Sequence, residues 1–225
     1  MDRVDTYSFD AGPEVFGPDV PISALEHFVH TVQASVDEAA TRRMDRLRSE
    51  DGITATCELG CHHCCRHLIP ANIAEAHALV QYVRREFSAG QLDDLRMRTQ
   101  RWHEWDHSRP GRHPSASVDE QSGVCEYEHT CPMLVNGNCS VYPVRPFVCR
   151  THYVCTPPLA CATMNDPASA EDAPVVLRSI VTAASPLLME MRDHIESEGL
   201  DDSRSTMLLP HWLAIKMGWD FAISP

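Results

Sequence analysis

From Ile22 to Leu47 the apolar positions Ile22, Leu25, Phe28, Val29, Val32, Val36, Ala40, Met44 and Leu47 recur every three or four residues, the spacing that draws one stripe along an α-helix. Arg42, Arg43, Arg46 and Arg48 crowd its far end, where positive charge suits the helix dipole, so one long amphipathic helix is predicted over about 22–48. A second run, Asn72 to Phe87, places Ile73, Ala76, Val80, Val83 and Phe87 on one face, with Gly90 as its expected stop. Leu92 to Asp106 reads as a third, giving helical structure across 72–106.

Periodicity then disappears. Ser108 to Gly123 is rich in Ser, Pro, Gly and Asp and is expected to be a loop, and Cys125 to Cys161 carries too many prolines for long helices. A Pro/Ala/Asp linker, about Pro157 to Pro174, precedes a helix expected over Val175 to Glu198, bent at Pro186. A shorter one, Leu208 to Met217, ends before Gly218, so helical structure is expected across 175–217. The fold class expected is mainly α: a helical domain with an irregular Cys- and Pro-rich metal-binding subdomain, elements 57–65 and 125–161, inside a single domain 1–225.

Composition narrows the classes of function. At 43% hydrophobic residues the 225-residue chain can bury a core. Its net charge of −13 opposes nucleic acid and anionic membranes at long range, so neither is an expected partner. Met1 to Phe16 lacks the basic start and apolar run of a secretory signal, and apolar stretches elsewhere are broken by Arg, Glu or Pro. A soluble, cytoplasmic protein is expected.

In a reducing compartment ten cysteines need a chemical reason other than disulfides. Seven fall in two short blocks: Cys57, Cys61, Cys64 and Cys65, then Cys131, Cys139 and Cys149. On one continuous helix the first four sulfurs would spread over about 12 Å, so joint ligation requires the backbone to fold round an ion. Gly60 is the residue suited to that turn, with a helix entered near Cys64. In the second block Asn136-Gly137 is a tight-turn signal, and Pro143 and Pro146 stiffen the approach to Cys149. A strict two-residue hairpin there pairs Cys139 with Leu134, so joint ligation by Cys131 and Cys139 is expected to need a looser turn. These seven thiols are the candidate metal ligands. For Cys125, Cys155 and Cys161, outside the blocks, ligation and inert burial are equally open.

The pattern Cys57-x3-Cys61-x2-Cys64-Cys65, Cys131-Pro-x-Leu, Gly137-x-Cys139-Ser-x-Tyr142-Pro-x-Arg145-Pro and Cys149-Arg150 resembles the bacterial YkgJ-like cysteine-cluster family, described as zinc- or iron-chelating. The resemblance covers about thirty residues in the two blocks. Some relatives are flagellin lysine N-methylases linked to an iron–sulfur cluster, which implies iron here, and protein modification or metal handling with a protein partner or substrate. Seven thiols exceed one four-ligand zinc site, which also favours an iron–sulfur cluster over a zinc-stabilised structural or adaptor module. Metal binding across so long a loop would contribute to folding, leaving the metal-free chain partly unfolded.

Three further patterns compete. Cys57-x3-Cys61-x2-Cys64 is also the spacing of radical S-adenosylmethionine enzymes, although no strand–helix alternation follows Cys65 and no Gly-rich loop marks a conventional methyl-transfer site. His103-Glu104-x-x-His107 matches the helix-borne zinc site of metalloproteases, with His113 at the third-ligand spacing and Pro110 where that form has Gly. His62 and His63 lie inside the first block but are not needed as primary ligands, and His67, His129 and His152 have weaker claims. Arg145 and Arg150 are either ordinary ion-pair formers or fixed charges beside a thiolate-rich centre.

Overall fold

The computed structural model describes residues 22–58, 60–108, 129–163, 173–197, 199 and 205–221, with side chains described from Leu25 onward. Among these, seven α-helices dominate: α1 (Ile22–Asp51), α2 (Ile73–Glu86), α3 (Ala89–Ser108), α4 (Phe147–Thr151), α5 (Pro158–Thr163), α6 (Arg178–Ser197) and α7 (Leu209–Met217). Four short strands, β1 (Pro70–Asn72), β2 (Leu134–Val135), β3 (Asn138–Cys139) and β4 (Thr206–Leu208), form two antiparallel pairs, β1 with β4 and β2 with β3.

The stripe on α1 is the spine of the core. Leu25, Val29, Val32, Val36, Ala40 and Leu47 are buried, and the helix packs along α6 and against α2 and α4. Helices α2 and α3 pack against α7, whose Trp212 and Leu213 are fully buried; the Trp212 indole N–H donates to the Ala71 carbonyl at 2.8 Å. A buried indole with a satisfied N–H fixes β1 to α7 by packing and hydrogen bond together.

Caps set the helix boundaries. Asn72 and Glu75 form a reciprocal capping box at the start of α2: the Glu75 N–H donates to Asn72 Oδ1 at 2.9 Å and the Asn72 N–H to Glu75 Oε2 at 3.2 Å. Gly90 does not end that helix as expected. The break falls at Phe87 and Ser88, and Gly90 lies in the first turn of α3. Ser88 and Gln91 cap α3 reciprocally, the Ser88 N–H donating to Gln91 Oε1 at 2.8 Å and the Gln91 N–H to Ser88 Oγ at 3.4 Å. This Ser-x-x-Gln box is a stronger start signal than a glycine is a stop.

Helix α6 carries Pro186 internally, and α7 ends at Gly218 in the left-handed conformation, φ 68°, both as expected. The linker expected from Pro157 contains a short helix, α5, because Pro158 suits a first helical position. The β1–β4 pair was not expected. The expected loop from Ser108 to Gly123, Cys125 and His113 lie outside the described residues, apart from Ser108 itself. Among the described residues no helix is long and apolar enough to cross a membrane.

Candidate metal centre

The first cysteine block leaves α1 as a loop. Gly60 takes φ +94°, a left-handed turn with nothing within 4 Å of an added Cβ, and the Cys61 N–H donates to the Glu58 carbonyl at 3.0 Å. The chain then enters a single 3-10 turn, His63–Arg66, that carries Cys64 and Cys65. The turn at Gly60 follows the sequence expectation, while the helix expected near Cys64 is this single 3-10 turn.

The second block is built on a two-residue hairpin, with Asn136 at φ 50° and Gly137 at φ 77° and the register Leu134↔Cys139 and Val135↔Asn138. Two successive positive φ values are those of the turn that matches strand twist. The hairpin is therefore the strict form, not the looser one that bringing Cys131 beside Cys139 was expected to need. A second turn does that work: the Leu134 N–H donates to the Cys131 carbonyl at 3.0 Å, folding Cys131 back, and the Ser140 N–H reaches the Met133 carbonyl at 2.8 Å. After Cys139 a 3-10 turn, Tyr142–Val144, leads through Pro146 into α4, which presents Cys149.

Two buried side chains hold that segment. Glu75, already in the capping box of α2, accepts the Phe147 N–H on its other oxygen at 2.6 Å, tying the first turn of α4 to the core. Arg150, only 4% exposed, pairs with Asp37 of α1, donates to the Pro143 carbonyl, and reaches the Arg145 carbonyl through Nε at 2.7 Å. Arg150 thus clamps the 143–150 loop. Burial raises the Glu75 carboxyl above its ordinary range, against the two N–H groups and the Arg150 charge.

The two blocks meet. The Cys131 N–H donates to the Cys65 carbonyl at 2.8 Å, and all seven candidate thiols, Cys57, Cys61, Cys64, Cys65, Cys131, Cys139 and Cys149, line one cavity of about 280 Å³. Arg145, Tyr142, His62 and His152 complete its polar wall, and Ile69, Met133, Val141 and Leu209 its apolar floor. Nine cysteines are described and all are free thiols. Cys155 hydrogen-bonds toward the Val175 carbonyl at 3.7 Å beside the smaller core cluster, away from the cavity lining. Cys161, on α5, lies outside the lining although close enough in charge to feel Cys57, Cys61 and Cys64.

Burial is the largest cause of the shifts at Cys57, Cys131, Cys139 and Cys149. It pushes Cys131 up to about 12 and Cys149 well above the usual thiol range, and it also raises Cys57 and Cys139, with neighbouring thiolates adding to each. Cys64 departs in the other direction. A hydrogen bond from the adjacent Cys65 thiol lowers it to about 7, aided by the Arg145 charge, while Cys65 is raised by the same bond. The cavity therefore crowds groups that cannot all ionise unless a cation joins them.

Seven thiols on one cavity are a soft donor set of the chemistry that iron and zinc take. Among the described residues, no three His, Cys, Asp or Glu side chains stand close enough together to enclose a single ion as they are.

The sequence pointed to the seven thiols, offered Arg145 as a fixed charge beside them, and gave His62 and His152 only secondary claims. His152 follows Cys149 at Cys-x-x-His spacing, which was the available signal; its ring meets His67 edge-on at 5.1 Å, and burial lowers the pKa of both. Arg145 stacks over the Tyr142 ring at 3.6 Å. His62 lines the cavity and holds Nδ1 3.3 Å from the Gly60 carbonyl, whereas His63 does not line it. In the His103-Glu104-x-x-His107 pattern, the buried His103 ring donates from Nε2 to the Pro210 carbonyl at 3.1 Å, while Glu104 is exposed and accepts from Gln100 at 3.0 Å. Those two side chains face opposite environments. Both sheets are two-stranded and antiparallel, so among the described residues no parallel βα unit follows Cys65. Comparisons with protein-family models, with curated proteins and with solved structures return no match for this chain.

Proposed function

We propose that this chain is a metal-binding protein whose seven clustered thiols hold an iron–sulfur cluster, acting in protein modification or metal handling. The observation that supports the reading is the convergence of Cys57, Cys61, Cys64, Cys65, Cys131, Cys139 and Cys149 on one cavity from segments more than sixty residues apart. Seven donors suit a multi-iron centre better than a single tetrahedral zinc. The resemblance to the YkgJ-like family in the same two blocks points the same way.

The roles of the residues follow from their positions. The thiols supply the ligands, four from the first block and three from the second. Arg145 carries a positive charge at the cavity wall that would offset the negative charge of a thiolate-bound centre, and His152 and His62 line the same wall. An iron–sulfur cluster bound there would supply one-electron transfer or a Lewis-acidic iron. A structural zinc site is the second reading, favoured by the backbone hydrogen bond from Cys131 to Cys65, which ties the two ligand segments together as a stabilising module would.

Anaerobic purification with iron, zinc and acid-labile sulfide analysis and a visible spectrum tests the choice. Brown protein with sulfur-to-iron absorption bands and several iron atoms per chain is expected. Colourless protein carrying stoichiometric zinc would establish the second reading, and metal-free protein would end both.

A further inference from the structure

Cys131 and Leu134 also line a second cavity, of about 430 Å³, whose other walls bring together Arg66, Arg98, Arg101, Trp102, Trp105 and His129. The volume is within the usual range for small-ligand sites. Three guanidiniums around one space are unusual in a chain of net charge −13. Several other described arginines on exposed helix faces have carboxylate partners: Arg42 with Glu38, Arg48 with Asp45, Arg85 with Glu26 and Glu86, and Arg192 with Glu196. Arg66 and Arg101, both exposed, make no hydrogen bond or ion pair among the described residues.

Arg98 is half-buried and fixed, its Nε donating to the Pro132 carbonyl at 2.7 Å. Among the described residues its remaining guanidinium N–H groups carry no further hydrogen bond. Burial and the neighbouring Arg101 charge both lower its pKa, with Asp94 opposing them, so the site holds positive charge at an energetic disadvantage that an anion would relieve. The remaining wall is aromatic: Trp105 stacks on His129 with ring centroids 3.9 Å apart and planes 19° from parallel, and Trp102 lies 5.6 Å from Trp105. A guanidinium triad beside flat rings suits a ligand that joins a phosphate to a planar base.

We infer that this second cavity binds a small nucleoside phosphate, its phosphate oxygens accepting from Arg66, Arg98 and Arg101 and its base lying against the Trp105–His129 wall. The inference is independent of the metal, although Cys131 borders both cavities and would couple them. Base-aromatic contact adds to phosphate contact, so neither half of the ligand should bind as well as the whole.

The test titrates the intact protein with ADP, GDP, adenosine and inorganic pyrophosphate by isothermal calorimetry. A nucleotide is expected to bind at least about tenfold more tightly than adenosine or pyrophosphate, and the double variant R66Q/R101Q to weaken it by about tenfold or more while leaving adenosine unchanged. Trp105→Leu should bring nucleotide affinity down toward that of pyrophosphate. Because Arg66 and Arg101 make no hydrogen bond or ion pair among the described residues, circular dichroism of the double variant should match the parent. Absence of nucleotide binding at about 1 mM, nucleotide no tighter than pyrophosphate, or an R66Q/R101Q variant that binds nucleotide normally overturns the inference. Metal content measured on the same samples keeps the two conclusions apart: loaded protein that ignores nucleotides defeats only this one, and empty protein that binds them defeats only the metal reading.

Discussion

The two cysteine segments reach the same cavity by different means. The stretch from Cys131 to Cys149 is fixed by the protein itself: a hairpin with two positive φ residues, two successive turns, the Glu75 carboxylate on the Phe147 N–H, and the Arg150 clamp. The stretch from Cys57 to Cys65 rests on less, with one turn at Gly60, one 3-10 turn, the Cys131–Cys65 backbone bond, and the Val154 N–H donating to Cys57 Sγ at 3.4 Å. By these contacts the second segment is the more firmly held of the two. A ligand that closes the cavity would therefore do most of its ordering in the first segment.

Reactivity should separate the halves most sharply. In metal-free protein at pH 7, Cys64, lowered to about 7 by the Cys65 hydrogen bond, is near half-ionised, whereas Cys131, pushed to about 12 by burial, is almost wholly protonated. Alkylation followed by mass spectrometry is expected to label Cys64 at least about a hundredfold faster, with the Cys64 rate rising as pH passes upward through 7. Equal rates would remove the distinction.

Stability variants follow in decreasing order. Glu75→Ala strips the acceptor from the buried Phe147 and Asn72 N–H groups and should cost about 3 kcal/mol in urea denaturation. Arg150→Met removes the loop clamp but leaves Asp37, half exposed, free to be hydrated, so about 2 kcal/mol is expected. A value near zero for either would mean the second segment is not held as described.

The smallest effect sharpens the contrast. Gly60 and Gly137 both have positive φ and room for a methyl group, the nearest contact at Gly137 being His62 Nδ1 at 3.7 Å, so conformation alone sets the cost. Gly137→Ala should lower metal-free stability by about 1 kcal/mol, since its turn is already fixed. Gly60→Ala should cost less than half as much in the metal-free protein and appear instead as weaker metal affinity. Identical behaviour in both assays would contradict the idea of one rigid and one adjustable half.

What the sequence made legible was whatever repeats or is locally encoded. The α1 stripe from Leu25 to Leu47, the Asn136-Gly137 hairpin and the Gly218 stop depend on neighbours a few residues apart, and they appear as expected. The Ser88-x-x-Gln91 cap is equally local, and it outweighs Gly90 as a boundary signal because it satisfies backbone N–H groups that a glycine leaves open. The β1–β4 pair and the Glu75–Phe147 tie join residues far apart through three-residue strands or a single carboxylate, and no periodicity announces such contacts. The cavity wall is intermediate: the sequence named its thiols and offered Arg145 and His152 as neighbours, but Ile69, Met133 and Leu209 reach it only through the fold.

The central claim is that both segments hold one metal centre together. Metal content of Cys61→Ser and Cys139→Ser proteins, prepared anaerobically beside the parent, tests it most directly. Loss of the same metal, in the same proportion, from both variants is the predicted result; full occupancy in either one, with the parent loaded, would contradict a shared centre.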